Sequence, residues 1–285
     1  MAASVDEVLE GIENLVSLPA ACVRINEMVE NPRCSADDMG RVINQDPALA
    51  ARLLRVANSP LYGVAGKIDT VSRAVTLLGT RQVQTLALAT SAVRAFDGIP
   101  NELVSMESFW EHSIYSALAA RTLAMECLKS KRESVFVAGL LHDIGQLVLY
   151  YRLPELSAQA LVAVMEGPGE LEAQEAEREL MGFDHAQVGG ELVRRWGLPL
   201  NLQGCVAFHH DPAHAAQHPV EVAIVHIANS IAALAELNSL DVHEAPRIQP
   251  VAWELTGLHV DIIESVVGGI QGQISDVRSV LMGDR

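Results

Sequence analysis

The sequence predicts an all-α protein folded as a two-lobed helical bundle, and three observations carry that expectation. Helix-starting and helix-stopping residues recur from one end of the chain to the other. Aromatic residues make up only 4% of the sequence, and no long alternating β-branched run or Asn-Gly turn offers material for a sheet. The 285 residues, 49% of them hydrophobic, suffice to bury a substantial core.

The elements follow in order. Ser35 with Asp38 reads as a capping box, and Asp46-Pro47 supplies a cap followed by proline at the first helical position. From Asp46 to Asn58 the apolar residues Leu49, Leu53, Leu54 and Val56 keep helical spacing. Asn58-Ser59-Pro60 then reads as a helix stop whose polar side chains satisfy free backbone groups. Val71 to Leu78 and Val83 to Val93 repeat the helical pattern, with Gly79 as the stop between them. These segments define an N-terminal lobe over residues 1–98, and the polar stretch Phe96 to Ser105, with Asp97-Gly98 and Pro100, is the expected hinge. The second lobe, residues 99–240, should contain helices at about Ser108 to Leu128, Ser134 to Tyr150, His185 to Trp196, Pro199 to His209 and Pro219 to Leu237. Between them the Glu-rich Met165 to Glu179, with Gly167-Pro168-Gly169, reads as a solvated loop leading into a helix. In residues 241–285 two further helices, Val260 to Gly268 and Gln271 to Met282, are expected to pack back onto the body.

Charge narrows the function classes. With 36 acidic and 20 basic residues the formal charge is −16, and the basic residues occur singly or in short pairs, so direct nucleic-acid binding is disfavoured. Cys22, Cys34, Cys127 and Cys205 show neither a CxxC spacing nor a disulfide framework, which suits a reducing compartment. Residues Met1 to Glu10 lack a basic segment followed by an apolar one, and no uninterrupted apolar run approaches the roughly 18 residues of a membrane span. The expectation is a cytoplasmic protein without a membrane partner.

Chemistry concentrates in four segments: His112; Leu140-Leu141-His142-Asp143-Ile144-Gly145; Asp184-His185; and His209-His210. Imidazoles and carboxylates suit divalent transition metals, and helical bundles build such sites from side chains converging from facing helices. His142 and Asp143, adjacent on one expected helix, stand about 100° apart around its axis and can flank one ion. His209 and His210 fall near a helix end broken by Asp211-Pro212, where the helix dipole favours a cation. Hydrogen-bonded structural histidines are the other reading of the six residues, and the residues alone leave both open; His226, His243 and His259 are read as hydrogen-bonded core residues.

A longer pattern runs through the same segments. Asp46-Pro47-Ala48-Leu49-Ala50, Leu53-Leu54-Arg55-Val56-Ala57-Asn58-Ser59, Ile68, Ala74-Val75 and Leu77-Leu78-Gly79 resemble the N-terminal signature of the HDOD family. Leu140 to Leu149, Asp184-His185 with Val188-Gly189, Trp196-Gly197-Leu198-Pro199 and His209-His210 continue it in order, over roughly residues 10 to 240. The resemblance implies a helical module of the HD-domain, phosphodiesterase-like type, related to HD and HD-GYP metal-dependent phosphohydrolases and used in bacterial signal transduction. It places metal ligands at His112, His142, Asp143, His185, His209 and His210, for one or two ions of iron, manganese, zinc or nickel. The late aspartate of the active enzymes falls at Asn229, and Asp211-Pro212-Ala213-His214 stands where their Gly-Tyr-Pro element would be. No basic cluster lies beside the motifs, although Lys131, Arg132 and Arg152 are candidates for holding phosphate. The expected function is therefore a regulatory output module docking to a signalling protein, with no catalytic residue assigned. A metal-dependent phosphohydrolase acting on a nucleotide or cyclic dinucleotide is the alternative, and a metal-free scaffold is the third reading.

Overall fold

Local capping signals act where the sequence places them. The structure is a computed structural model describing residues 4–12, 20–29, 31, 33–59, 66–96, 102–128, 132–166 and 171–282. Among the described residues there is no strand. In chain order the helices are α1 (Val5–Leu9), α2 (Ala20–Val29), α3 (Ala36–Ile43), α4 (Pro47–Ala57), α5 (Val71–Leu78), α6 (Thr80–Ala95), α7 (Met106–Cys127), α8 (Arg132–Leu141) and α9 (Ile144–Arg152). They continue as α10 (Pro154–Glu166), α11 (Ala173–Met181), α12 (His185–Arg195), α13 (Leu200–Phe208), α14 (Pro219–Leu237), α15 (Pro250–Thr256), α16 (Ile262–Gln271) and α17 (Ile274–Met282).

Two compact units emerge, and neither is continuous in sequence: Val16–Asp97 groups with Gly272–Arg285, and Met1–Leu15 with Gly98–Gln271. The sequence division into 1–98, 99–240 and 241–285 differs from this at both ends of the chain, because short terminal helices pack by their apolar faces wherever a complementary face lies. Thus α1 packs on α9 and α12, while α17 packs on α4 and α6.

In the smaller unit, Ser35 and Asp38 form the capping box, Asp46 accepts from the Leu49 amide at 2.9 Å with Pro47 opening α4, and Gly79 (φ 90°) separates α5 from α6. Leu49, Leu53 and Val56 share one face of α4 and are buried with Ile25, Ile43, Val75 and Leu86. Asn58 closes the stop as expected: its Nδ2 donates to the carbonyls of Leu54 (2.7 Å) and Ile68 (2.8 Å), and its Oδ1 accepts from the Ile68 amide at 2.7 Å. Pro60 and the hinge residues Asp97, Gly98 and Pro100 lie outside the described residues.

In the larger unit, α14 packs along α7, α8 packs on α7, α12 lies between α9 and α13, and α16 covers α7 and α14. The Ser134–Arg152 and Pro219–Leu237 stretches are apolar and long enough to cross a membrane by length and composition, but 83% and 78% of their apolar windows are buried inside the protein as core. Two expectations need correction here. The single helix expected from Ser134 to Tyr150 is broken by a turn at His142-Asp143, between α8 and α9. The Glu-rich segment after residue 170 is no solvated loop, since α11 carries Glu177 into the core; Gly167-Pro168-Gly169 lies outside the described residues.

Candidate metal centre

Close backbone packing brings the polar segments together. Gly139 on α8 sits against α7, where an added Cβ would lie 2.8 Å from the Ser116 carbonyl oxygen and 2.9 Å from Ala117 Cα. A Cβ at Gly145 on α9 would lie 2.0 Å from the His185 carbonyl oxygen and 2.6 Å from the Gly189 amide on α12. Only glycine permits these approaches, and they draw His112, the His142-Asp143 turn and His185 into one place.

Asp143 is the hub. Its Oδ1 lies 3.2 Å from His185 Nε2 and 3.3 Å from His209 Nε2, while its Oδ2 lies 3.2 Å from His142 Nε2 and 3.8 Å from His112 Nε2. His210 joins through its Nε2, 2.9 Å from His185 Nε2. All six residues expected as ligands thus converge. Two overlapping groups, His112, His142 and Asp143 on one side and Asp143, His185, His209 and His210 on the other, each have ligand atoms within 4.8 Å of one another. Asp143 is common to both.

Four of the five rings are oriented from behind. His142 Nδ1 donates to the Gly139 carbonyl (2.7 Å) and His209 Nδ1 to the Val206 carbonyl (2.9 Å). His185 Nδ1 donates to Glu177 Oε2 at 2.7 Å, and the same oxygen accepts the His185 backbone amide at 2.7 Å. His112 Nδ1 meets Glu236 Oε2 at 3.2 Å and its Nε2 meets Asn229 Oδ1 at 3.0 Å. Asp184, beside His185, is a helix cap: it accepts the Gln187 amide at 2.8 Å and an Arg178 contact at 2.5 Å.

The electrostatics follow from burial and neighbours. Burial alone would raise Asp143, but the imidazoles of His142, His185 and His209 outweigh it and hold its carboxyl well below the usual range. Burial drives His209 down to about 4, and burial together with the neighbouring imidazoles holds His210 well below its ordinary value, so both offer a lone pair at neutral pH. His185 goes the other way: burial opposes charge, but Glu177 and Asp143 prevail and raise it. At His112 burial is likewise overcome, chiefly by Glu236, and the ring is raised to about 9.

A test of fit lies in the buried atoms without partners. His142 Nε2, His209 Nε2 and Asp143 Oδ1 are buried and make no hydrogen bond. The Nδ1 hydrogens go to the Gly139 and Val206 carbonyls, so these two Nε2 atoms and the carboxylate oxygen are aimed at one place without a hydrogen-bond partner. Buried polar atoms without partners are costly, and a cation among them would satisfy all three. The residues therefore fit a divalent transition metal. His142, Asp143, His185, His209 and His210 would hold it, with His112 at the more exposed side, and the set of nitrogens and one carboxylate suits iron, manganese, zinc or nickel.

Other expectations resolve individually. His226 is a core residue: its Nδ1 donates to the His209 carbonyl at 2.7 Å and its Nε2 accepts the Gln249 amide at 2.9 Å, so it props the His209-His210 turn. His243 and His259, expected in the core, are exposed, His259 being paired with Asp261 at 2.9 Å. His243 lies on the short 3-10 turn Val242–Glu244 and His259 in the segment before α16, both at the surface. Of the candidates for holding phosphate, Arg152 reaches the Glu7 carbonyl at 3.4 Å; Lys131 and the side chain of Arg132 lie outside the described residues. Sequence reasoning missed Glu177 and Glu236. Glu236 lies seven residues after Asn229, two helical turns along the same face, which was a readable signal; Glu177 had none beyond its place in a helical Glu-rich run.

Comparisons with known proteins place this geometry. The HDOD domain pattern matches residues 15–212. An HDOD domain protein of unknown function from Geobacter sulfurreducens is 25% identical with a TM-score of 0.76, covering 97% of this chain and 95% of that one. A Shewanella amazonensis SB2B chain named "Putative phosphohydrolase" is also 25% identical, with a TM-score of 0.75, covering 96% and 97%. An uncharacterized protein of Treponema pallidum (strain Nichols) is 26% identical over 215 residues, and the match takes in 74% of this chain but only 40% of that relative's length. The family match spans more than two thirds of the sequence and includes all six converging residues, and the solved relatives share the all-helical fold: the chain belongs to the HDOD domain family.

Proposed function

We propose that this chain is a regulatory module of signal transduction that acts by docking to a signalling protein, and that its larger unit binds one or two divalent transition metal ions. The observation carrying the metal reading is the pair of buried imidazole nitrogens without a hydrogen-bond partner, on His142 and His209, turned toward a buried Asp143 carboxylate. The regulatory reading draws on the family and on the enclosure of the centre. His142, Asp143, His185 and His209 are 0%, 6%, 1% and 0% exposed. Closed coordination is typical of metals that hold structure, whereas catalytic metals keep an open position for water and substrate. Asn229 also supplies an amide where the related enzymes have a carboxylate.

The second reading is a metal-dependent phosphohydrolase acting on a nucleotide or cyclic dinucleotide, favoured by the convergence of all six ligands. A bound ion would supply Lewis acidity and an activated water there. One experiment addresses both readings. Elemental analysis of purified wild type should find a transition metal, and His142→Ala with Asp143→Ala should abolish it by removing adjacent ligands. Equal metal content in the two proteins would sink the metal assignment. Metal-loaded protein incubated with cyclic di-GMP and simple nucleotides should show no turnover approaching the about 10 per second of a median enzyme. Turnover of that size, lost with His142→Ala, would establish the phosphohydrolase instead.

A further inference from the structure

His112 is held between two side chains of one helix. Its Nε2 meets Asn229 Oδ1 at 3.0 Å, and its Nδ1 meets Glu236 Oε2 at 3.2 Å. Residues 229 and 236, both on α14, lie within about 20° of one another around the helix after two turns. At the opposite end of the centre His185 is backed by Glu177 through the same Nδ1-to-carboxylate bond, at 2.7 Å. Each end of the centre is therefore served by an imidazole with a glutamate behind it. The His112 end also carries the neutral Asn229, whose Oδ1 meets the ring.

We infer that Glu236 is the positioning residue that delivers to the His112 end, through the imidazole, the anionic charge that Asn229 does not provide. The inference rests on the metal-binding reading above. A carboxylate accepting from Nδ1 fixes the ring and raises the basicity of Nε2, the nitrogen that faces Asp143. It would also bring a negative charge to the far side of the ring without itself being a ligand. Glu236 is one-third exposed, so keeping it charged costs less desolvation than a carboxylate at the enclosed position 229, which is 7% exposed. A glutamate behind the ring thus relocates the charge from a place where burial penalises it to one where water helps to carry it.

The test is a titration of metal-stripped protein with Mn²⁺ alone and with Zn²⁺ alone, read by equilibrium dialysis with elemental analysis. It uses four proteins: wild type, Glu236→Gln, Asn229→Asp and the double variant. Glutamine keeps an acceptor for His112 Nδ1 and removes only the charge, and at a partly exposed site it leaves the helix intact, as circular dichroism will verify. Glu236→Gln should weaken binding about 10- to 100-fold. Asn229→Asp should bind more tightly than wild type, and the double variant should recover at least wild-type affinity, because the carboxylate has moved from one side of His112 to the other. Unchanged affinity in Glu236→Gln, or a loss that Asn229→Asp does not restore, overturns the inference while leaving the metal centre standing. Should wild type itself bind neither ion, the metal reading fails and the role of Glu236 goes with it.

Discussion

At the scale of single residues, the same type of side chain serves different ends according to its partners. Asn229 and Asn58 both lie on or beside helices, yet Asn229 faces an imidazole in the centre, whereas Asn58 makes three backbone hydrogen bonds that tie α4 to Ile68. Each such bond contributes about 0.5–1.5 kcal/mol net. Asn58→Ala should therefore lower the unfolding free energy by about 1.5–4.5 kcal/mol in denaturant titrations while leaving metal content unchanged, and a loss of metal would reveal a coupling between the units. The histidines make the same point. His142, in the turn after α8, and His226, inside α14, sit in similarly apolar sequence, but only His142 keeps a ring nitrogen without a partner, because both nitrogens of His226 are engaged with backbone.

At the scale of elements, two contacts without side chains build the centre. Gly139 lets α8 approach α7, and Gly145 lets α9 approach the start of α12. Gly145→Ala would place a methyl group 2.0 Å from the His185 carbonyl oxygen, so backbone must move. Overpacking of this kind costs about 1–3 kcal/mol and can exceed it where backbone is the obstacle. The variant should melt well below wild type and lose metal, since His185 is pushed away from Asp143; normal melting with normal metal content would show that α9 and α12 separate without disturbing the centre. The turn at His142-Asp143 is the other element-level feature. The apolar periodicity of Val135 to Tyr150 continues on both sides of it, so a helix was legible there, but the break was not: at the turn Asp143 faces imidazoles from α12 and from the end of α13, neighbours that are remote in sequence.

At the scale of the whole molecule, every residue of the centre lies in the larger unit. A ligand that binds only the folded state stabilises it by about 2.7 kcal/mol at a hundredfold excess over its dissociation constant. Added manganese or zinc should then raise amide-exchange protection in α7 to α14, with α2 to α6 unchanged; an equal rise in both sets would mean that the two units open as one. The sequence by itself determined the all-helical class, the caps at Ser35 and Asp46 and the stops at Asn58 and Gly79, because periodicity and capping chemistry are local properties of the chain, and its ordered motifs marked, by resemblance, the six residues that converge. Tertiary structure alone decided that α1 joins the larger unit and α17 the smaller, that Glu177 and Glu236 stand behind two of the histidines, and that His226 is a prop while His243 and His259 are exposed. Those outcomes depend on which faces bury one another and on partners from 8 to 124 residues away along the chain, information that a one-dimensional pattern does not hold.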